Sequence, residues 1–231
     1  MPVVCDKRDD WDVQNSRALW ELCDGRIVNL TKCRRADDTL FKICQNVEKV
    51  KPQKFGQREC PKSVAYTNSV RRKVNDSWMK HRVQDGREYI EVPAVVGMGK
   101  ETQNQYVYEG MPVVAISTNT KLNIANGEEF KVVSWTKKAV VVGCVLEDGS
   151  IDEDLNIEVP MDVYPRLLQP GFCISIHRSQ GSTYDVPYTI YQFDRLQEMC
   201  KRGLDIGKRL LYVAMSRATD PKLINFSDKY D

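Results

Sequence analysis

The chain alternates between two hydrophobic periods. Near its start, Ala18, Leu19, Leu22 and Cys23 fall on one helical face, with Asn15 and Ser16 as caps and Gly25 as the stop. Leu40, Phe41, Cys44 and Val47 make a second such stripe, and Val70, Val74 and Trp78 a third at i, i+4, i+8. Short apolar runs at 27–30 and 63–66 read as strands. From 86 to 165 the pattern changes to four β-rich runs, 113–116, 129–135, 139–145 and 157–161, punctuated by the hairpin dipeptides Asn126-Gly127 and Asp148-Gly149. The first pattern then returns. Residues 172–176 and 188–191 predict strands, 194–200 and 204–217 helices, and 222–226 a closing strand, with Pro221 beyond the last helix. Strands that alternate with helices predict an α/β fold with a parallel sheet. The expected division is 1–85, 86–165 as an all-β insertion, and 166–231.

Candidate chemistry gathers at two places in the last third. The segment FCISIHRSQGS, residues 172–182, is a strand that empties into a polar loop. His177, Arg178, Ser179, Gln180 and Gly181 then lie at the carboxyl end of a strand, where ligands of open α/β sheets sit. That set suits a polyanion. Arg217 is expected in the last turn of the 204–217 helix, where a planar fork of donors suits a phosphoryl group. The plain alternative is a surface arginine favoured by the helix dipole.

The order and spacing of HRSQGSTYD and LLYVAMSRATD resemble motifs five and six of superfamily 1 helicases, in their RecD-like and UvrD-like branches. Residues 65–79, AYTNSVRRKVNDSWM, are similar to motif four-a, and Met1-Pro2-Val3-Val4 to the end of motif three. The segments EGMPVVAISTN and IANGEEFKVV look like the opening of the β-barrel that interrupts the second motor domain. The resemblance implies a RecA-like parallel sheet flanked by helices and interrupted by a small SH3-like insertion. The chain would be the carboxyl-terminal half of an ATP-dependent helicase, with Arg217 and Arg35 acting as arginine fingers. Arg35, six residues ahead of the helical Phe41, is similar to the arginine of motif four, with Arg34 as the other register, and a solvent pairing of either with Asp37 or Asp38 is the plain alternative.

By the same resemblance, Gln180 and Gly181 couple to nucleotide. His177, Ser175, Thr67, Asn68 and Ser179 hold single-stranded DNA, with RNA as a further possibility. ATP and Mg2+ would be bound mainly by an amino-terminal RecA-like domain, since the sequence has no G-x-x-x-x-G-K-[ST] loop. This half is therefore expected to be inactive alone. A catalytically inactive nucleic-acid-binding or interaction module is the alternative. Gln180 stands where the UvrD-like branch has lysine, and Thr183 where many members have a ribose-holding glutamate.

Composition narrows the picture further. With 34 Lys+Arg against 32 Asp+Glu, any basic track must be local. Arg71, Arg72, Lys73, Lys80 and Arg82 are candidates for one, or simply a solvated helix face. The eight cysteines include no CxxC pair and the chain has only two histidines, so no metal site is expected. With no secretory leader or long apolar span, the expectation is an intracellular, reducing compartment, cytoplasm or nucleus, and no membrane contact.

Overall fold

Strands buried on both faces cannot alternate polar and apolar residues, and two stretches obey that rule. β1 (Ser63–Ala65) and β10 (Tyr188–Tyr191) are buried at every position. They pair in parallel, Val64 opposite Ile190, inside a four-stranded parallel sheet of order β11-β10-β1-β9, with β9 (Cys173–Ser175) and β11 (Ile224–Ser227) at its edges. The computed structural model describes residues 17–26, 36–52, 60, 62–84, 86–95, 97, 102–146 and 150–229.

Helices cover both faces of this sheet. On one side lie α2 (Asp38–Gln45), α5 (Phe193–Lys201) and α6 (Asp205–Met215), which bring Leu40, Leu196, Leu210 and Leu211 onto Val64, Ile190 and Ile224. Asp37 caps α2 by accepting the Leu40 amide at 2.6 Å. α5 and α6 approach so closely that a Cβ on Gly207 would lie 2.6 Å from the Met199 Cβ and 2.9 Å from the Leu196 carbonyl oxygen. On the other side α3 (Asn68–Gln84) sets Val70 and Val74 against Ala65, Cys173 and Tyr191.

The second sheet is antiparallel. Its five strands run β7-β6-β5-β4-β8: β4 (Pro112–Ala115), β5 (Glu129–Trp135), β6 (Ala139–Val145), β7 (Ile151–Pro160) and β8 (Leu168–Pro170). In β5 burial alternates, Phe130 and Val132 inward and Lys131 and Val133 less so. β2 (Ile90–Val92) and β3 (Gln105–Val107) form a separate hairpin. Trp78 and Met79 from the far half of α3 enter this second core, where the Trp78 ring stacks on Phe172, centroids 5.9 Å apart. α3 therefore packs on both sheets.

Several expectations change. β2, β3 and β8 were not foreseen, because each has only three residues and lacks a full alternation. The antiparallel sheet takes in β8 and so runs on past 165 to Pro170. Phe41 is half-buried rather than core, while Leu40, Cys44 and Val47 are buried. α1 (Arg17–Leu22) leaves Ala18, Trp20 and Leu22 exposed, and Cys23 beyond it as well. α6 ends at Met215, and Arg217 lies beyond its Ser216 cap rather than in its last turn. Residues 1–4, the strand at 27–30 and Asp148-Gly149 lie outside the described residues. Among the described residues no helix is long and apolar enough to cross a membrane.

Candidate nucleic-acid interface

Parallel pairing of β1 with β9 puts Ala65 opposite Ser175, so the loops leaving both strands emerge side by side. One loop runs through Tyr66 and Thr67 into α3. The other is the HRSQG turn. Between them lies a cavity of about 510 Å³ lined by Tyr66, Thr67, Asn68, Ser69, Arg71, Arg72, Ile174, Ser175, His177 and Arg178, with Val114 of the antiparallel sheet as one wall. Four residues expected to hold a strand, Thr67, Asn68, Ser175 and His177, thus meet in one place although more than a hundred positions separate the two pairs.

Thr67 starts α3. Its carbonyl accepts the Arg71 amide at 3.0 Å and its hydroxyl accepts the Val70 amide at 3.4 Å. The positive end of this 17-residue helix, with Arg71 and Arg72 in its first turns, therefore opens into the cavity. Of the other candidate cations on this helix, Lys80 pairs with Asp76 at 2.7 Å and Arg82 lies against the Trp78 ring, 5.8 Å from its centroid. The Asp76 contact raises the Lys80 ammonium above its ordinary pKa, first by hydrogen bonding and then by charge. The basic lining is confined to the first turns.

The HRSQG turn is stitched by its own backbone. Ser175 O accepts the Arg178 amide at 2.9 Å and the Ser179 amide at 3.1 Å. Ser179 is fully buried and its hydroxyl donates to Ile176 O at 2.8 Å, which occupies that hydroxyl inside the loop rather than at the cavity. Arg178 donates to Ala115 O at 3.1 Å and Ile116 O at 3.4 Å, fastening the turn to the end of β4. Gln180 and Gly181 are exposed at the tip, and the Gly181 φ of +104° lies where only glycine is comfortable.

Arg217 is wholly buried behind this turn. Its Nε donates to Val213 O at 2.9 Å, Nη1 to Ser182 O at 3.0 Å and Ser179 O at 3.4 Å, and Nη2 to Ser216 Oγ at 3.0 Å. Backbone bonds reinforce the link: the Tyr184 amide donates to Arg217 O at 2.7 Å and the Thr219 amide to Tyr184 O at 3.1 Å. The Asp37 amide donates to Thr219 O at 3.1 Å, so the start of α2 adjoins the same segment. Arg34 and Arg35 lie outside the described residues.

Burial decides the titration of the groups beneath the site. The Cys173 thiol is pushed up to about 12 by desolvation, with the Ser63 hydrogen bond and the Arg71 charge pulling the other way. It therefore stays a neutral thiol and offers no nucleophile. The Tyr184 and Tyr188 phenols are likewise raised by burial, Tyr184 further by the Glu129 charge.

Two polar residues at the site carry no signal in the sequence pattern. Asn75, fully buried, donates from Nδ2 to Cys173 O at 3.0 Å and accepts the Cys173 amide on Oδ1 at 2.8 Å, standing in for a missing neighbour on the outer edge of β9. Gln192 accepts both the amide and the hydroxyl of Thr67. Neither pairing follows from spacing, because each joins segments about a hundred or more residues apart.

No protein-family model and no curated protein matches the sequence. Solved structures do match. Bacteroides Pif1 bound to single-stranded DNA superposes with a TM-score of 0.58 at 17% identity, over 89% of this chain and 52% of that one. The Bacteroides Pif1 helicase in complex with ADP-AlF3 and single-stranded DNA gives 0.57 at 17% identity, over the same 89% and 52%. Pif1 helicase from Candida albicans gives 0.55 at 17% identity, over 84% of this chain and 53% of that one. The chain spans about half the length of these structures. Its α/β fold is similar to that of about half of each of these Pif1 structures.

Proposed function

We propose that the chain is the carboxyl-terminal motor half of an ATP-dependent superfamily 1 helicase, and that it holds single-stranded DNA in the cavity between the β1 and β9 loops. One observation carries the reading: four residues picked from sequence motifs, Thr67, Asn68, Ser175 and His177, line a single cavity with Arg71, Arg72 and Arg178. A helix amino terminus and guanidinium groups recognise phosphate and read no base sequence. On this reading residues 86–165 are an inserted β unit that walls the cavity through Val114, and the first and last segments make one motor domain. The match to Pif1 structures solved with single-stranded DNA adds support.

ATP would meet this chain at the exposed Gln180 and Gly181, where an added Cβ on Gly181 would find open space. Bound there, the nucleotide would supply the free energy of its phosphoanhydride bond. Arg217 fits a γ-phosphate role only once its fork leaves the Ser179 and Ser182 carbonyls; Arg35 would be its companion. On this reading Mg2+ is held mainly by the amino-terminal RecA-like domain; among the described residues no three His, Cys, Asp or Glu side chains converge.

A labelled oligodeoxythymidylate titrated into the chain tests the strand site. Arg72→Glu and His177→Ala should weaken binding, and Arg72→Glu should also flatten its salt dependence by about one phosphate contact. Wild-type affinity in both variants would sink the reading. In the full-length protein Arg217→Ala should cut DNA-stimulated ATP turnover about a thousandfold or more. The second reading, an inactive nucleic-acid-binding module, draws on the complete burial of Arg217. It predicts intact strand binding and no turnover in the wild-type protein.

A further inference from the structure

Gln192 closes β10 and opens α5 with φ +64° and ψ 34°, a left-handed conformation that a glutamine rarely takes. It is 5% exposed. Its Oε1 accepts the Thr67 amide at 2.9 Å and the Thr67 hydroxyl at 3.1 Å. The unusual backbone thus aims one side-chain oxygen at the second residue after β1.

That double bond changes what Thr67 can do. Its hydroxyl proton goes to Gln192 and its oxygen receives the Val70 amide, so the hydroxyl is engaged in both directions. The amides of Asn68 and Ser69, which follow, belong to the first turn of α3 and have no acceptor within the helix by its geometry. Both residues line the cavity.

We propose that Gln192 is a positioning residue for strand binding: by holding Thr67 from the β10 side, it sets the first turn of α3 so that the Asn68 and Ser69 amides meet a phosphodiester oxygen. This rests on the cavity being the strand site. Thr67 then acts as the cap of α3 and not as a contact, and recognition is of phosphate oxygens without regard to base. α5, which begins just after Gln192, becomes mechanically linked to the strand through one side chain.

The test is a fluorescence titration of the 231-residue chain with a labelled oligodeoxythymidylate, with amide NMR spectra recorded in parallel. Gln192→Met keeps the bulk and removes the oxygen. It should weaken binding about tenfold, as one lost hydrogen bond does, and abolish the response of the Asn68 and Ser69 amides to the oligonucleotide. Gln192→Glu keeps an acceptor oxygen and should recover the Thr67 amide position and part of the affinity. Thr67→Val removes the hydroxyl's bond to Gln192, and the Val70 cap with it, while the Thr67 amide keeps its own bond and the left-handed residue is untouched, so the double variant with Gln192→Met should lose less than the sum of the two single losses. A Gln192→Met protein that melts earlier yet binds as wild type, with Asn68 and Ser69 still responding, overturns this inference and leaves the strand site standing. Wild-type Asn68 and Ser69 amides that ignore the oligonucleotide overturn both.

Discussion

The two sheets use the same kinds of residues for different ends. In the parallel sheet the central strands β1 and β10 are buried throughout, and β9 and β11 open only at their carboxyl ends, so the polar chemistry is pushed to those ends and the loops beyond them. In the antiparallel sheet burial alternates along β5, which faces water on one side, while β4 and β8 are buried almost throughout. The first region builds a site and the second builds a wall for it. Val114 and the Ala115 and Ile116 carbonyls are what the wall lends, and Arg178 is the clasp. A sheet covered by helices on both faces has only its ends left for binding.

If the parallel region depends on burial from both faces, Leu210→Ala should be among the costliest changes. Leu210 is fully buried between α6 and the sheet, and the loss should be about 2–5 kcal/mol in chemical denaturation. The shorter Val132→Ala in the antiparallel core should cost less, and an equal cost would erase the contrast between the regions. Asn75→Ala comes next. It strips both bonds from the β9 edge and leaves a buried amide and carbonyl unsatisfied, for about 2 kcal/mol and a weakened strand site.

A pH titration sharpens the same point. Cys173 holds its proton more tightly folded than unfolded, since burial lifts it from 9.0 to about 12. The folded state therefore binds more protons between those values, and stability falls as pH rises through that window. The slope approaches about 1.4 kcal/mol per pH unit for one such group. Cys173→Ala should flatten the urea midpoint measured between pH 9 and 11 by that share, while the raised tyrosines, Tyr188 among them, keep a remaining slope. The smallest effect belongs to the surface link between the regions. Lys62 meets Glu129 at 2.9 Å with both side chains partly exposed, so Lys62→Ala should cost about 0.2–1 kcal/mol and shrink further in salt.

Much of the fold was legible in order along the chain. β5, β6 and β10 fall on the residues their patterning predicts, and α3 carries its stripe of Val70 and Val74 inward. Periodicity works there because each element decides its own facing. The site was legible only in part. Thr67, Asn68, Ser175 and His177, picked out by motif, line one cavity, whereas Ser179 and Arg217 are buried with their donors turned to backbone carbonyls. A hydroxyl and a guanidinium look the same in sequence whether they point to a ligand or to a carbonyl four residues away.

The sequence alone settled where the longer helices and strands lie and which loops are rich in polar groups, because hydrophobic period and turn residues act over a few positions. Tertiary structure decided the rest. Only the pairing of β1 between β9 and β10 brings Thr67 beside both Ser175 and Gln192, and only the fold of α3 across both sheets sets Asn75 on the β9 edge. Such neighbours are fixed by strand order, which is a property of the assembled core and has no local code.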